Sequence, residues 1–243
     1  MNTENSKFKI QNYFITGTDT EVGKTVVTAL LALRMQARGI DVGVMKPFAS
    51  GCRREQAVLI SEDARWLREM TGVRDELELI NPVRFEEPLA PLVAARREGV
   101  ETEDFLARCH EAYRELQSRH QCVIVEGIGG LLVPLQARTG STLTCVDFAS
   151  ELGLPVVVIA RRALGTINHT LLTCRAPLRD PSYFAGLVFC DAAPVADDDV
   201  AAQSSPALIE EITGLKIWGE VPYLSDLSRP VLMEAAERFL SWP

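Results

Sequence analysis

A chain of 243 residues, nearly half apolar and about a quarter charged, is long enough to bury the core of one sizeable α/β domain. Its formal net charge of −8 argues against a nucleic-acid partner, because neutralising phosphates takes clustered Lys and Arg. The pairs Arg53-Arg54 and Arg96-Arg97 read as solvated faces, and no apolar run is long enough to span a bilayer, so no membrane partner is expected.

Met1 to Gln11 is polar and mixed in charge, without the apolar stretch of a secretory signal. Tyr13 to Thr16 reads as a strand, and Lys24 to Arg38 as a helix that stops near Gly39. Val42 to Lys46 reads as a second strand, halted by Pro47. Helical patterns follow at Glu62 to Met70, Pro91 to Glu98 and Glu103 to Arg119. Cys122 to Glu126, Pro155 to Ala160 and Gly186 to Cys190 are continuously apolar, as strands covered on both faces are. Helices are expected at Thr142 to Leu152, Thr166 to Arg175 and Ala207 to Thr213. A short strand at Lys216 to Trp218 and a helix at Pro230 to Leu240 come last. Between them Ala193 to Ser205, with its Asp197-Asp198-Asp199 run, reads as a solvated loop. The alternation predicts one α/β domain over residues 1–243, a mostly parallel sheet with helices on both faces. The six cysteines form no C-x-x-C pair and the three histidines lack metal-ligand spacing. Reduced thiols in a cytoplasmic protein, without zinc, are the expectation.

The strongest local signal is Phe14 to Thr25, a strand followed by Gly-Thr-Asp-Thr-Glu-Val-Gly-Lys-Thr at the start of a helix. A Gly-Lys-Thr at such a junction lets backbone N–H groups cradle phosphates, with Lys24 on the terminal phosphates and the Thr25 hydroxyl on magnesium. The strict pattern places glycine at position 18, where Thr18 stands, and Gly17 lies one position earlier. The motif is therefore a variant, and it predicts a P-loop NTPase-like fold. Lys46, Glu126 and Asp191 each follow an apolar strand directly, at the carboxyl ends where doubly wound sheets bind ligands. A cation and carboxylates beside a phosphate loop suit a nucleotide and magnesium, with Glu126 as a ligand. Gly127 to Gly130 fits either close backbone approach to an anion or a plain tight turn.

Thr16 to Thr25 resembles the signature of the dethiobiotin synthetase family. The resemblance continues through Lys46-Pro-Phe-Ala-Ser-Gly51, Asp63-Ala64, Asn81-Pro82, Glu86 to Pro91, Val125 to Gly130, Leu164 to His169 and Gly219-Glu-Val-Pro222, in family order over nearly the whole chain. It implies an ATP- and magnesium-dependent ligase that acts on 7,8-diaminononanoate and CO2, working as a homodimer. Carried over residue by residue, it implies Thr25, Asp63 and Glu126 as magnesium ligands. Glu21, Val22, Gly23, Lys24, Thr25 and Val26 match the phosphate loop, with Gly127, Ile128 and Gly129 beside it. Lys46 corresponds to a second active-site lysine, and Thr20 and Ser50 to positions near the diamine or its carbamate. Gly165, Thr166, Ile167 and Asn168 resemble the segment that receives the substrate carboxylate from the partner subunit. Cys190, Asp191, Pro222, Tyr223 and Leu224 fall where the family holds the nucleoside. No protein nucleophile is implied.

Two residues depart from the family pattern. Cys190 stands where an Asn often reads the adenine edge, and a thiol is a weak donor, so nucleobase selectivity is expected either to be relaxed or to be carried by backbone near Pro222 to Leu224. Ile128 replaces a small residue, which either narrows the crevice or packs outward. The partition and septum-site ATPases share this kind of fold, but their early signature lysine is absent here, where Asp19 and Thr20 stand. A cobyrinic acid diamide synthase would need a further glutaminase domain, for which the chain has no room.

Overall fold

The computed structural model describes residues 11–176 and 183–241. The reading of residues 1–10 as lacking a secretory signal lies outside the described residues. β1 (Tyr13–Gly17) leads through a loop into α1 (Lys24–Gln36), and β2 (Val42–Met45) follows. A short β3 (Phe48–Ala49) and a hairpin of β4 (Arg53–Glu55) and β5 (Val58–Ile60) precede α2 (Glu62–Thr71), α3 (Leu77–Ile80) and β6 (Val83–Arg84). Then come α4 (Pro91–Glu98), α5 (Phe105–Arg119) and β7 (Cys122–Glu126). A second hairpin, β8 (Pro134–Arg138) and β9 (Ser141–Thr144), runs into α6 (Cys145–Leu152). The order ends with β10 (Val156–Ala160), α7 (Thr166–Thr173), β11 (Phe184–Cys190), α8 (Val200–Thr213), β12 (Ile217–Val221) and α9 (Arg229–Phe239).

Six strands form one sheet in the order β12-β11-β10-β1-β7-β2, with every neighbouring pair parallel. Successive residues on these strands point to opposite faces, and both faces are buried. On β1, Phe14 enters one core while Tyr13 and Ile15 enter the other. The first core gathers Phe14, Phe48, Phe85, Phe105 and Phe148 in edge-to-face contacts against α4, α5 and α6. The second packs Leu30, Leu31 and Met35 of α1 with Leu67 of α2 and Leu232 of α9. Helices on both faces leave the strand ends as the place where polar side chains collect. The predicted architecture is the observed one, a parallel sheet with helices on both faces.

Two expectations about elements are corrected. Thr142 to Thr144 belong to β9 and not to a helix, which suits β-branched side chains. The helix starts one residue later, where Thr144 and Asp147 form a reciprocal capping box and the Asp147 carboxylate accepts the Thr144 N–H at 2.8 Å. The expected loop from Ala193 to Ser205 ends early, since α8 begins at Val200. Asp199 caps it, its carboxylate accepting the Ala202 N–H at 2.9 Å. Pro206 lies inside α8 and does not precede it. Among the described residues, no helix is long and apolar enough to cross a membrane.

Candidate active site

The carboxyl ends of β1, β2, β7, β11 and β12 open on one cavity of about 540 Å³. Its charged end is built around the Gly17 to Thr25 loop. Gly17 leaves β1 in a space where a Cβ would stand 2.6 Å from the Asp19 carbonyl oxygen and 3.0 Å from Lys24 Nζ. Glu21 takes a left-handed backbone at φ 55°, and Gly23 does so at φ 89°. A Cβ on Gly23 would also meet Cys190 Sγ at 2.5 Å, so glycine is required there on two counts. Gly23 caps α1 with no side chain over the helix start, leaving first-turn N–H groups for an anion.

Lys24 Nζ donates to the Asp19 carbonyl oxygen at 2.8 Å. Burial lowers its pKa; Glu126 opposes that effect and nearby Lys46 adds to it. Glu126, at the end of β7, is fully buried. Its Oε1 accepts the Thr25 hydroxyl at 2.8 Å and Lys46 Nζ at 2.6 Å. Its Oε2 is buried with no hydrogen-bond partner among the described residues. Asp63, near the start of α2 and 59% exposed, places Oδ2 3.0 Å from Lys46 Nζ. Burial alone would lower the Lys46 pKa, but Glu126 and Asp63 outweigh it and leave the pKa raised. The Lys46 backbone is fixed on both sides. Its N–H donates to the Ile80 carbonyl at 2.8 Å, and its carbonyl accepts from Asn81 Nδ2 at 2.6 Å.

The other end is differently made. Pro222, Tyr223, Leu224 and Leu227 form a largely apolar wall after β12. Cys190 presents a buried thiol, its pKa pushed up to about 12 by burial and by Asp191, so it stays neutral near pH 7. Asp191 touches the cavity, yet its carboxylate is paired with Arg162, which also donates to Glu220 at 3.2 Å.

The structure thus brings together Thr20, Glu21, Gly23, Lys24, Thr25, Val26, Lys46, Ser50, Asp63, Glu126, Ile128, Gly129, Cys190, Asp191 and Pro222 to Leu224 around one cavity. Val22 is buried in the core behind the loop. Gly127 lies against Phe14, where a Cβ would come within 2.9 Å of the ring. Ile128 both lines the cavity and packs on the first core. Gly165 to Asn168, at the start of α7, do not line the cavity of their own chain. Sequence reasoning missed Arg162, although it too follows an apolar strand, β10, almost directly. It also missed Ala49, Ala192 and Leu227, small or apolar wall residues that carry no chemical signal of their own.

The sequence profile of a family described as an AAA domain matches residues 11–231. The chain is 44% identical over 220 residues to the ATP-dependent dethiobiotin synthetase of Anaeromyxobacter dehalogenans (strain 2CP-C), covering 90% of this chain and 93% of the relative. It is 38% identical over 227 residues to that of Thermodesulfovibrio yellowstonii, covering 92% and 93%. Among solved structures, the MinC:MinD cell division complex of Aquifex aeolicus aligns with a TM-score of 0.53 at 13% identity, covering 95% of each chain. The signal recognition particle receptor FtsY of Elizabethkingia anophelis gives 0.53 at 12%, covering 96% of this chain and 66% of that one. Those two likenesses concern the fold alone. The chain belongs to the AAA-domain family and, within it, to the ATP-dependent dethiobiotin synthetases.

Proposed function

We propose that this chain converts 7,8-diaminononanoate, CO2 and ATP into dethiobiotin, ADP and phosphate. The observation that carries this reading is the meeting of Lys24, Thr25, Lys46, Asp63 and Glu126 in one cavity beside the Gly17 to Thr25 loop. In outline, one substrate amine attacks CO2 and loses a proton, giving a carbamate. A carbamate oxygen takes the γ-phosphoryl group and ADP leaves, which turns a poor electrophile into a mixed anhydride. The second amine attacks the carbonyl carbon, the C–O bond to phosphate breaks, a proton is released and the ureido ring closes. Lys24 and Lys46 hold positive charge where the phosphoryl oxygens and the carbamate gather it. Holding both amines beside the activated carbon contributes effective molarity on the order of 7–11 kcal/mol in favourable cases. Thr20 and Ser50 contact the diamine or its carbamate in this reading.

The residues present fit magnesium. A hydroxyl, an exposed carboxylate and a buried carboxylate oxygen without a partner make a hard-oxygen donor set that phosphate oxygens complete. Thr25, Asp63 and Glu126 would hold the ion, which supplies charge neutralisation on the transferring phosphoryl group. The nucleoside would rest between Cys190 and the Pro222 to Leu224 wall. Gly165 to Asn168 do not line the cavity of their own chain, and Leu164 and Leu172 on either side are 88% and 61% exposed. Both facts support a homodimer in which this segment of a second copy receives the substrate carboxylate. The test is dethiobiotin formation, followed by mass spectrometry with diaminononanoate, bicarbonate and magnesium. Product with stoichiometric phosphate is expected. No product from folded protein that still binds ATP would overturn the reading, and a monomer in sedimentation would overturn the shared site.

A further inference from the structure

We infer that Lys46 is a built-in counter-cation that excludes a bare divalent ion and makes metal binding depend on nucleotide. The inference rests on the metal-site reading above and goes beyond it. Lys46 Nζ stands 2.6 Å from Glu126 Oε1 and 3.0 Å from Asp63 Oδ2, between the two carboxylates of the candidate metal set. It cannot drift into solvent, since its side chain is 7% exposed and its backbone is tied to Ile80 and Asn81 on both sides. Lys24 brings a second ammonium to the same cluster. The two lysines offset the charge of Glu126 and Asp63, leaving only the exposed Asp19 beside Lys24 in addition, and a lone dication entering here meets repulsion from both ammonium groups. A polyanionic nucleotide reverses that balance and adds phosphate oxygens as ligands. Glu126 divides its oxygens accordingly. Oε1 is saturated by Lys46 and Thr25, while Oε2 is buried and unpartnered. Lys46 thus competes electrostatically with the metal for Glu126 and Asp63 without occupying Glu126 Oε2. The metal enters with the nucleotide and not ahead of it.

The experiment is Mn2+ binding by electron paramagnetic resonance on the full chain, with and without a non-hydrolysable ATP analogue. The wild type should bind Mn2+ at least about tenfold more tightly with the analogue present, and Lys46→Met should bind bare Mn2+ at least about tenfold more tightly than the wild type. Lys46→Arg, which keeps the charge, should stay as weak as the wild type. Lys46→Met leaves Glu126 buried beside an apolar group, so Lys46→Gln, whose amide can still donate to Oε1, repeats the test in a protein more certain to fold. No gain in bare affinity for Lys46→Gln, or tight bare binding by the wild type or Lys46→Arg, overturns the inference while leaving the metal site standing. No Mn2+ binding even with the analogue removes both.

Discussion

The two ends of the cavity are built on opposite principles. At the Lys46 end, charged side chains are buried against one another, and Glu126, Lys46 and Thr25 share hydrogen bonds of 2.6 and 2.8 Å. At the Cys190 end the charges turn away: Asp191 spends its carboxylate on Arg162, and what faces the cavity is chiefly a neutral thiol and an apolar wall. A buried charge without its partner is costly, so the first end is intolerant of substitution and predefined in geometry. The second can exchange side chains at modest cost, which is where selectivity can drift within a family. In the proposed function, chemistry is fixed at one end and choice of nucleobase is adjustable at the other.

The largest effect is expected at the intolerant end. Lys46→Gln should lower kcat by about a thousandfold or more while the far-UV circular dichroism stays that of the wild type, since a preorganised charge at a transferring phosphoryl group contributes roughly that much. Near-normal turnover would remove Lys46 from the mechanism and erase the contrast. Next comes the Arg162–Asp191 ion pair beside the Cys190 end. Arg162→Met leaves Asp191, whose side chain is 2% exposed, without its cation. Unfolding in urea should show a loss of about 3 kcal/mol. The folded fraction should keep kcat within a few-fold, because neither side chain is asked to touch the reacting atoms. A collapse of kcat without loss of stability would place Arg162 among the reacting groups instead.

A smaller effect tests the adjustable end directly. With Cys190 unable to give paired hydrogen bonds to a base edge, ATP, CTP and GTP should support turnover within about tenfold of one another in kcat/KM, whereas a site built to hydrogen-bond its ligand discriminates far more strongly. Cys190→Asn should then widen the ratio in favour of ATP. A wild-type preference for ATP of several orders of magnitude would mean that backbone groups near Pro222 to Leu224 already read the base.

The same contrast decides what was legible in the sequence. The charged end was readable because a parallel strand buried on both faces is an uninterrupted apolar run, and a Lys or Glu at its end is conspicuous. Lys46 and Glu126 were found that way and meet in the structure. Arg162 obeyed the same rule but was invisible as a partner, because its pairing with Asp191 joins residues 29 positions apart, just past the ends of neighbouring strands. The hairpins β4–β5 and β8–β9 are short and partly exposed, so neither apolar alternation nor length announces them. In α8 the expected start at Ala207 came too late, because Asp199 caps the helix upstream and Pro206 lies inside it. Gly165 to Asn168 could be placed at the start of α7 but not against a ligand, because Thr166 and Ile167 turn into their own chain and none of the four lines its cavity.

The smallest expected effect concerns what holds the charged end in place. The His120 ring sits between Asp41, 3.0 Å from Nδ1, and Asp75, 2.9 Å from Nε2, and Arg119 also reaches Asp75 at 3.2 Å and Glu76 at 3.0 Å. Asp75 and Glu76 lead directly into α3, whose Ile80 carbonyl holds the Lys46 N–H. Partial burial lowers the His120 pKa, but the hydrogen bonds to the two aspartates outweigh it and leave the pKa above its ordinary 6.5. A raised histidine pKa means that the folded state favours the charged ring. Its stabilisation is therefore complete below the unfolded value near 6.5 and is lost as pH rises through the folded value. The difference in melting temperature between wild type and His120→Gln should be largest near pH 6 and shrink at higher pH. A difference that grows with pH, or one that ignores it, would mean that the ring is held neutral and that this clasp acts by packing over Gly43 and not by charge.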